Sequence, residues 1–142
     1  MKTLLIALIS IFFVTTITQQ SRKSLFSQKW IQFAYKANTD KKAKAPAKGG
    51  ATEVDFSADG TYQTTTYGIT AKGKYAFNAD STKFGEQVTE SNGQKIKSNS
   101  PIVTNFIILK LNSDTLIYGD ESNYGTTPKT YGHDDFYFVR KK

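Results

Sequence analysis

From residue 52 onward the chain alternates between apolar and polar side chains with a period of two. Val54 and Phe56 interleave with Glu53, Asp55 and Ser57. Successive side chains on an extended strand point to opposite faces, so this spacing sorts apolar groups from charge. A helix, with its period of 3.6, would scatter the same residues around its axis. Turn signals interrupt the alternation at short intervals: Ala58-Asp59-Gly60, Gly68, Asn78-Ala79-Asp80-Ser81, Ser91-Asn92-Gly93 and Asn112-Ser113-Asp114. Each holds residues that tolerate positive φ or hydrogen-bond their own backbone, which is the chemistry of hairpins.

The segments between the turns read as strands. Residues 61–67 are Thr-rich and carry Tyr62 and Tyr67. In 71–78, Gly73, Tyr75 and Phe77 share a face opposite Lys72, Lys74 and Ala76. Phe84 and Val88 share a face in 83–90. Residues 101–111 contain the apolar run Phe106-Ile107-Ile108-Leu109, short and bounded by turns, which reads as a central strand. Thr115-Leu116-Ile117-Tyr118 follows, and residues 119–132 read as a loop. In 133–140, Phe136 and Phe138 lie opposite Tyr137 and Val139. Residues 29–35, with Trp30, Phe33 and Tyr35, form a first strand or a short helical lead. The reading is all-β: one antiparallel up-and-down barrel or sandwich of about eight strands built from sequential hairpins. An aromatic content of 13% agrees, because flat and β-branched side chains pack well on a pleated surface.

The N-terminus reads differently. Met1-Lys2-Thr3 is a short positive start, residues 4–14 are almost wholly apolar, and small polar residues follow. This is the layout of a cleaved secretory signal peptide over residues 1–18, with an apolar run too short to span a bilayer. It implies an extracytoplasmic location, periplasmic or secreted, with no membrane span after cleavage. Residues 19–28 are polar and read as a flexible lead-in, so the domain occupies 29–142. No Cys is present, which excludes disulfides, thiolate nucleophiles, thiolate metal sites and lipid attachment to an N-terminal Cys. An exported chain of this kind must rely on its core.

Residues 36–50 form a Lys-rich loop with small residues, Pro46 and Gly49-Gly50. Lys41, Lys42, Lys44 and Lys48, in a chain of net charge +7, suit an anionic glycan or lipid headgroup. A solvated loop is the plainer reading. No nucleic acid is expected as a partner: the loop has no stacking aromatics beyond Tyr35 at its edge, and export would make nucleic acid a poor partner. His133, Asp134 and Asp135 are the one cluster with acid–base or metal potential. A single His cannot build a multi-His zinc site, and adjacent Asp residues on a strand diverge, so the cluster reads as an exposed strand start. There is no Gly-x-Ser-x-Gly elbow and no phosphate-binding Gly-rich loop. The chain therefore reads as neither an enzyme nor a metalloprotein, and no cofactor motif is present. By alternation the inward-facing set is Val54, Phe56, Tyr62, Thr64, Tyr75, Phe77, Phe84, Val88, Leu116, Tyr118, Phe136 and Phe138. These side chains either fill a small barrel or line a cavity within it.

The order of Lys29-Trp30, then residues 56–62 (Phe-Ser-Ala-Asp-Gly-Thr-Tyr), then Gly73-Lys74-Tyr75, then residues 109–116 resembles the bacterial lipocalin-like domain proteins. These are small exported barrels of the Bacteroidetes type. The resemblance covers residues 29–140. It implies an up-and-down barrel able to hold a small hydrophobic or amphipathic molecule, with Trp30 packed across one end. It carries no ligand identity and no catalytic motif. Many relatives bear a Cys after the signal, which this chain lacks. The rival expectation is a non-enzymatic envelope module with a solid core, acting through protein interaction or as a structural element.

Overall fold

Strands follow one another in hairpin order through the computed structural model, which describes residues 22–97, 103–121 and 134–142. The export segment at 1–18, residues 19–21, most of the loop at 119–132 and His133 lie outside the described residues. The strands are β1 (Lys29–Lys36), β2 (Glu53–Phe56), β3 (Thr61–Thr66), β4 (Ile69–Phe77), β5 (Lys83–Ser91), β6 (Gln94–Lys95), β7 (Val103–Leu111), β8 (Thr115–Asp120) and β9 (Asp135–Arg140). β1 to β5 pair in sequence, β5 pairs with β7, β7 to β9 pair in sequence, and β9 returns to β1. All pairings are antiparallel, so eight strands close into an up-and-down barrel. The two-residue β6 pairs only with β5, at the end of that strand. Among the described strands, closure leaves no long unpaired edge.

The turns work as their residues require. Tyr67-Gly68 and Asn92-Gly93 both take positive φ at two successive positions, the pattern of type I′ turns. The Asp59 carboxylate accepts hydrogen bonds from the backbone N–H and the hydroxyl of Thr61 (2.9 and 2.7 Å), with Gly60 at φ 88° between them. Asp80, Ser81 and Thr82 repeat the device, with Ser81 at φ 57° in the glycine's place. These bonds hold the Asp59 and Asp80 carboxyls below the ordinary value.

The lead-in departs from expectation. Residues 22–26 form a helical turn, and Phe26 is 0% exposed. Its ring centroid lies 4.2 Å from Phe56, 4.9 Å from Phe77 and Phe84, and 5.4 Å from Tyr75. The Trp30 indole N–H donates to the Phe26 carbonyl (3.0 Å), and Arg22 Nη1 donates to the Ser81 carbonyl (2.8 Å). A segment that reads as polar and flexible is ordered because its single ring, set among Ser, Lys and Gln, stoppers one end of the barrel. That end also holds the turns at 57–60, 78–82 and 112–114. Trp30, also 0% exposed, is buried beside the stopper.

Three register shifts break the simple alternation. Phe33 in β1, Thr89 in β5 and Leu109 in β7 have no paired partner. An extra residue in one strand reverses the facing of everything beyond it. Hence Tyr35 pairs with Phe136 on the inner face while Phe33 lies outside against Tyr137 (6.2 Å). Likewise Ile108 and Leu111 pack on the core while Leu109 is exposed.

Candidate functional site

The barrel interior divides into two halves of different chemistry. Next to the stopper it is filled by rings: Phe56, Phe77 and Phe84 with Phe26, and Phe84 stacked on Phe106 at 5.1 Å. Tyr118 joins Phe84 at 5.2 Å and stacks on Phe138 at 5.2 Å. Such contacts add about 0.5–1.5 kcal/mol per pair beyond area burial. Of the twelve residues expected inside, Val54, Phe56, Tyr62, Tyr75, Phe84, Leu116, Tyr118 and Phe138 are buried. Phe77 and Phe136 are half-buried against that core. Thr64 is half-buried on the same face as its cross-strand partner Val54.

Val88 is the correction. It is 39% exposed: its cross-strand partner Gly73 has no side chain to pack against, and the unpaired Thr89 follows it directly. Phe26 and Phe106 belong to the buried core but fell outside the expected set. Phe26 sits in a polar segment with no period, and Phe106 sits in an unbroken apolar run where alternation cannot assign a face.

Past the ring cluster the wall changes. The inner positions of β3 and β4 carry Thr64, Ala71 and Gly73, and register carries the same face on to Glu86 and Thr104. A Cβ at Gly73 would lie 2.7 Å from Tyr62 Cε1 and 2.9 Å from Tyr62 Cζ, so the Tyr62 ring lies directly across this glycine. Tyr62 thereby spans β4 and meets Glu86 of β5. The Glu86 Oε1 is out of solvent and has no hydrogen-bond partner among the described residues.

Burial pushes the Glu86 carboxyl up to about 7, and a hydrogen bond from Tyr62 pulls it back in part. Burial, followed by the Glu86 charge, in turn raises the hydroxyls of Tyr62 and Tyr118 above their ordinary value. The three groups form a polar cluster inside an otherwise aromatic barrel. Its members can accept a donor from a bound molecule at Glu86 and present phenol hydroxyls beside it. Sequence reasoning missed Glu86, since a Glu between Gly85 and Gln87 reads as solvent-facing. The available signal was its alternation with Phe84.

This arrangement fixes a pH dependence. Below about pH 4.5 Glu86 is neutral in both the folded and the unfolded chain and adds no penalty. Between 4.5 and about 7 the unfolded chain releases a proton that the folded chain keeps, so stability falls as pH rises. The loss is on the order of 3 kcal/mol and is complete above the folded value. Glu86→Gln is expected to remove that decline. Urea unfolding of both proteins across pH 4 to 8 measures it as the difference between the two curves, which cancels the opposite-signed contributions of Asp59 and Asp80. Parallel curves would mean that Glu86 titrates normally.

The other expected residues lie elsewhere. Lys41, Lys42, Lys44 and Lys48 are exposed on the loop after β1, far from the stopper. Lys44 pairs with Asp40 at 2.8 Å, and its backbone bridges to Tyr35. Asp134 accepts a bond from the Asn38 N–H (2.7 Å). Asp135, expected at an exposed strand start, is buried beside Lys36 with 3.6 Å between charges. The two aspartates diverge, as adjacent strand residues must. Among the described residues no three His, Cys, Asp or Glu side chains gather as a metal site would need, and no helix is long and apolar enough to cross a membrane. A groove of about 450 Å³ lies on the outer wall along β3, β4 and β5, lined by Gln63, Lys72, Lys74 and Glu90. Lys72 and Glu90 pair there at 3.2 Å and neutralise each other.

No family model, no curated protein and no solved structure matches the chain.

Proposed function

We propose that this barrel is an exported, non-enzymatic binding protein that holds a small amphipathic molecule in the half that Phe26 does not fill. The observation that carries this reading is Glu86. A buried carboxylate oxygen without a partner is costly, and a ligand that donates to it would remove the cost. The apolar part of such a molecule would lie against the inner rings, and the Tyr62 and Tyr118 hydroxyls would orient its polar group. The likeness of motif order to bacterial lipocalin-like proteins and the signal-like start support the same reading. Burial of apolar ligand surface would contribute about 25 cal/mol per Å².

The second reading is a solid barrel acting as an envelope interaction or structural module. The unbroken ring packing from Phe26 to Phe138 favours it for the stoppered half.

Native mass spectrometry of the protein isolated without detergent separates the two. A binding protein is expected to carry a reproducible extra mass that leaves on denaturation and is depleted in Glu86→Gln. A bare polypeptide mass for both proteins overturns the reading in favour of the solid barrel.

A further inference from the structure

The end of the barrel away from Phe26 gathers apolar side chains that nothing in the core claims. Tyr67, at the tip of the β3–β4 hairpin, is 65% exposed, and Ile69 and Ile96 nearby are about half exposed. Single exposed apolar residues are ordinary. Here they occupy two adjoining tips that are tied together: the Asn92 N–H donates to the Thr70 carbonyl (2.8 Å), and the Thr70 N–H donates to Asn92 Oδ1 (3.1 Å). Ile96 follows directly, with its N–H on the Thr89 carbonyl (2.9 Å). The basic loop forms the third side, because the Tyr67 hydroxyl lies against Gly50, two residues beyond Lys48.

Two further features point to an outside partner. Tyr67 holds φ 51°, a left-handed conformation that a bulky aromatic rarely adopts and that the Asn-Gly of the neighbouring turn takes readily. The strained ring stays 65% exposed, with its hydroxyl against Gly50. Among the described residues the charge next to the tips is mainly positive, and Asp40 on the loop is held by Lys44. Lys48, Lys95 and Lys97 are exposed, and the nearby acid Glu90 is already paired with Lys72.

We infer that this end of the barrel docks on an anionic lipid bilayer, with Tyr67, Ile69 and Ile96 entering the interface and the surrounding lysines on the headgroups. Tyrosine favours the headgroup level, where its ring is apolar and its hydroxyl wet. Lysines near an anionic surface each add attraction that salt screens, and apolar insertion supplies the part that salt does not remove. The inference stands apart from the interior ligand, since none of its residues lines the Glu86 cluster.

The test is co-sedimentation with vesicles of phosphatidylcholine and phosphatidylglycerol in equal parts, against vesicles of phosphatidylcholine alone. The wild-type protein is expected to bind the mixed vesicles at least about tenfold more tightly, a difference that shrinks with salt. Tyr67→Asn with Ile69→Ser is expected to lose about tenfold in affinity. Tyr67→Asn alone suits the left-handed turn, so it is expected to unfold no earlier than wild type while still binding less, which separates docking from folding. Equal binding to both vesicles, or no binding to either, overturns the inference. So does wild-type binding by the Tyr67 variants when Lys95→Glu with Lys97→Glu abolishes it, because adhesion would then be a matter of net charge alone.

Discussion

Phe26→Ala is expected to lower the unfolding free energy by about 3–5 kcal/mol, the range for deleting a fully buried ring. The residue lies before the first strand, in a helical turn of residues 22–26, and no hydrogen bond of the barrel runs through its side chain. Its weight comes from packing. The ring touches residues of β2, β4 and β5 at once, with centroids at 4.2 to 5.4 Å. Deleting it leaves a void under Phe56 and Phe84 that eight hydrogen-bonded strands cannot collapse to fill. It also loosens the helical turn whose carbonyl receives the Trp30 indole. Urea unfolding followed by the fluorescence of the single Trp reads both effects together. A loss below about 1 kcal/mol would show that the turn at 22–26 is peripheral and that the barrel end closes without it.

Gly73→Ala is expected to destabilise by about 3 kcal/mol or more, although alanine ordinarily suits a strand better than glycine by about 0.5–1 kcal/mol. The sign is set by close approach and not by backbone freedom, since Gly73 is absent from the positive-φ glycines. A methyl group there would strike the Gln87 carbonyl on the paired strand and the Tyr62 ring lying over it. The carbonyl belongs to the β4–β5 ladder next to the Thr89 bulge and cannot move without breaking pairing. The ring can move only by leaving Glu86. The substitution is therefore expected to cut ligand retention as well as stability, and thermal unfolding alongside native mass spectrometry separates the two losses. An unchanged midpoint would falsify the placement of Tyr62 across the glycine.

Much of the barrel is legible before any coordinates, for identifiable reasons. The turns at Asp59-Gly60, Asn78–Ser81, Gly68, Asn92-Gly93 and Asn112–Asp114 carry local chemistry, and all five occur where the residues place them. Val54, Phe56, Tyr62, Tyr75 and Phe84 are buried as their alternation requires, because each lies on a strand segment without a bulge before it. Val88 departs although it is still in register: its cross-strand partner is Gly73, which offers no side chain to pack on. Phe33 and Tyr35 show a second limit within one strand: two rings two residues apart should share a face, yet the extra residue sends them to opposite sides.

What the sequence determined by itself is local: strand identity, turn positions, the absence of cysteine chemistry and the basic character of one loop. Each depends on a few neighbouring residues and the two-residue period of an extended chain. The tertiary structure alone decided the rest. Passing from β5 to β7 and returning β9 to β1 closes the barrel through contacts between residues far apart in sequence. Closure makes a stopper of Phe26, turns bulges into reversals of facing, and encloses Glu86. A carboxylate between glycine and glutamine shares the face of Phe84 by alternation, but its charge reads as solvent-facing. Its carboxyl leaves solvent because Tyr62 of β3, lying across Gly73 of β4, reaches it, and Tyr118 of β8 comes near, only once the sheet has wrapped around on itself.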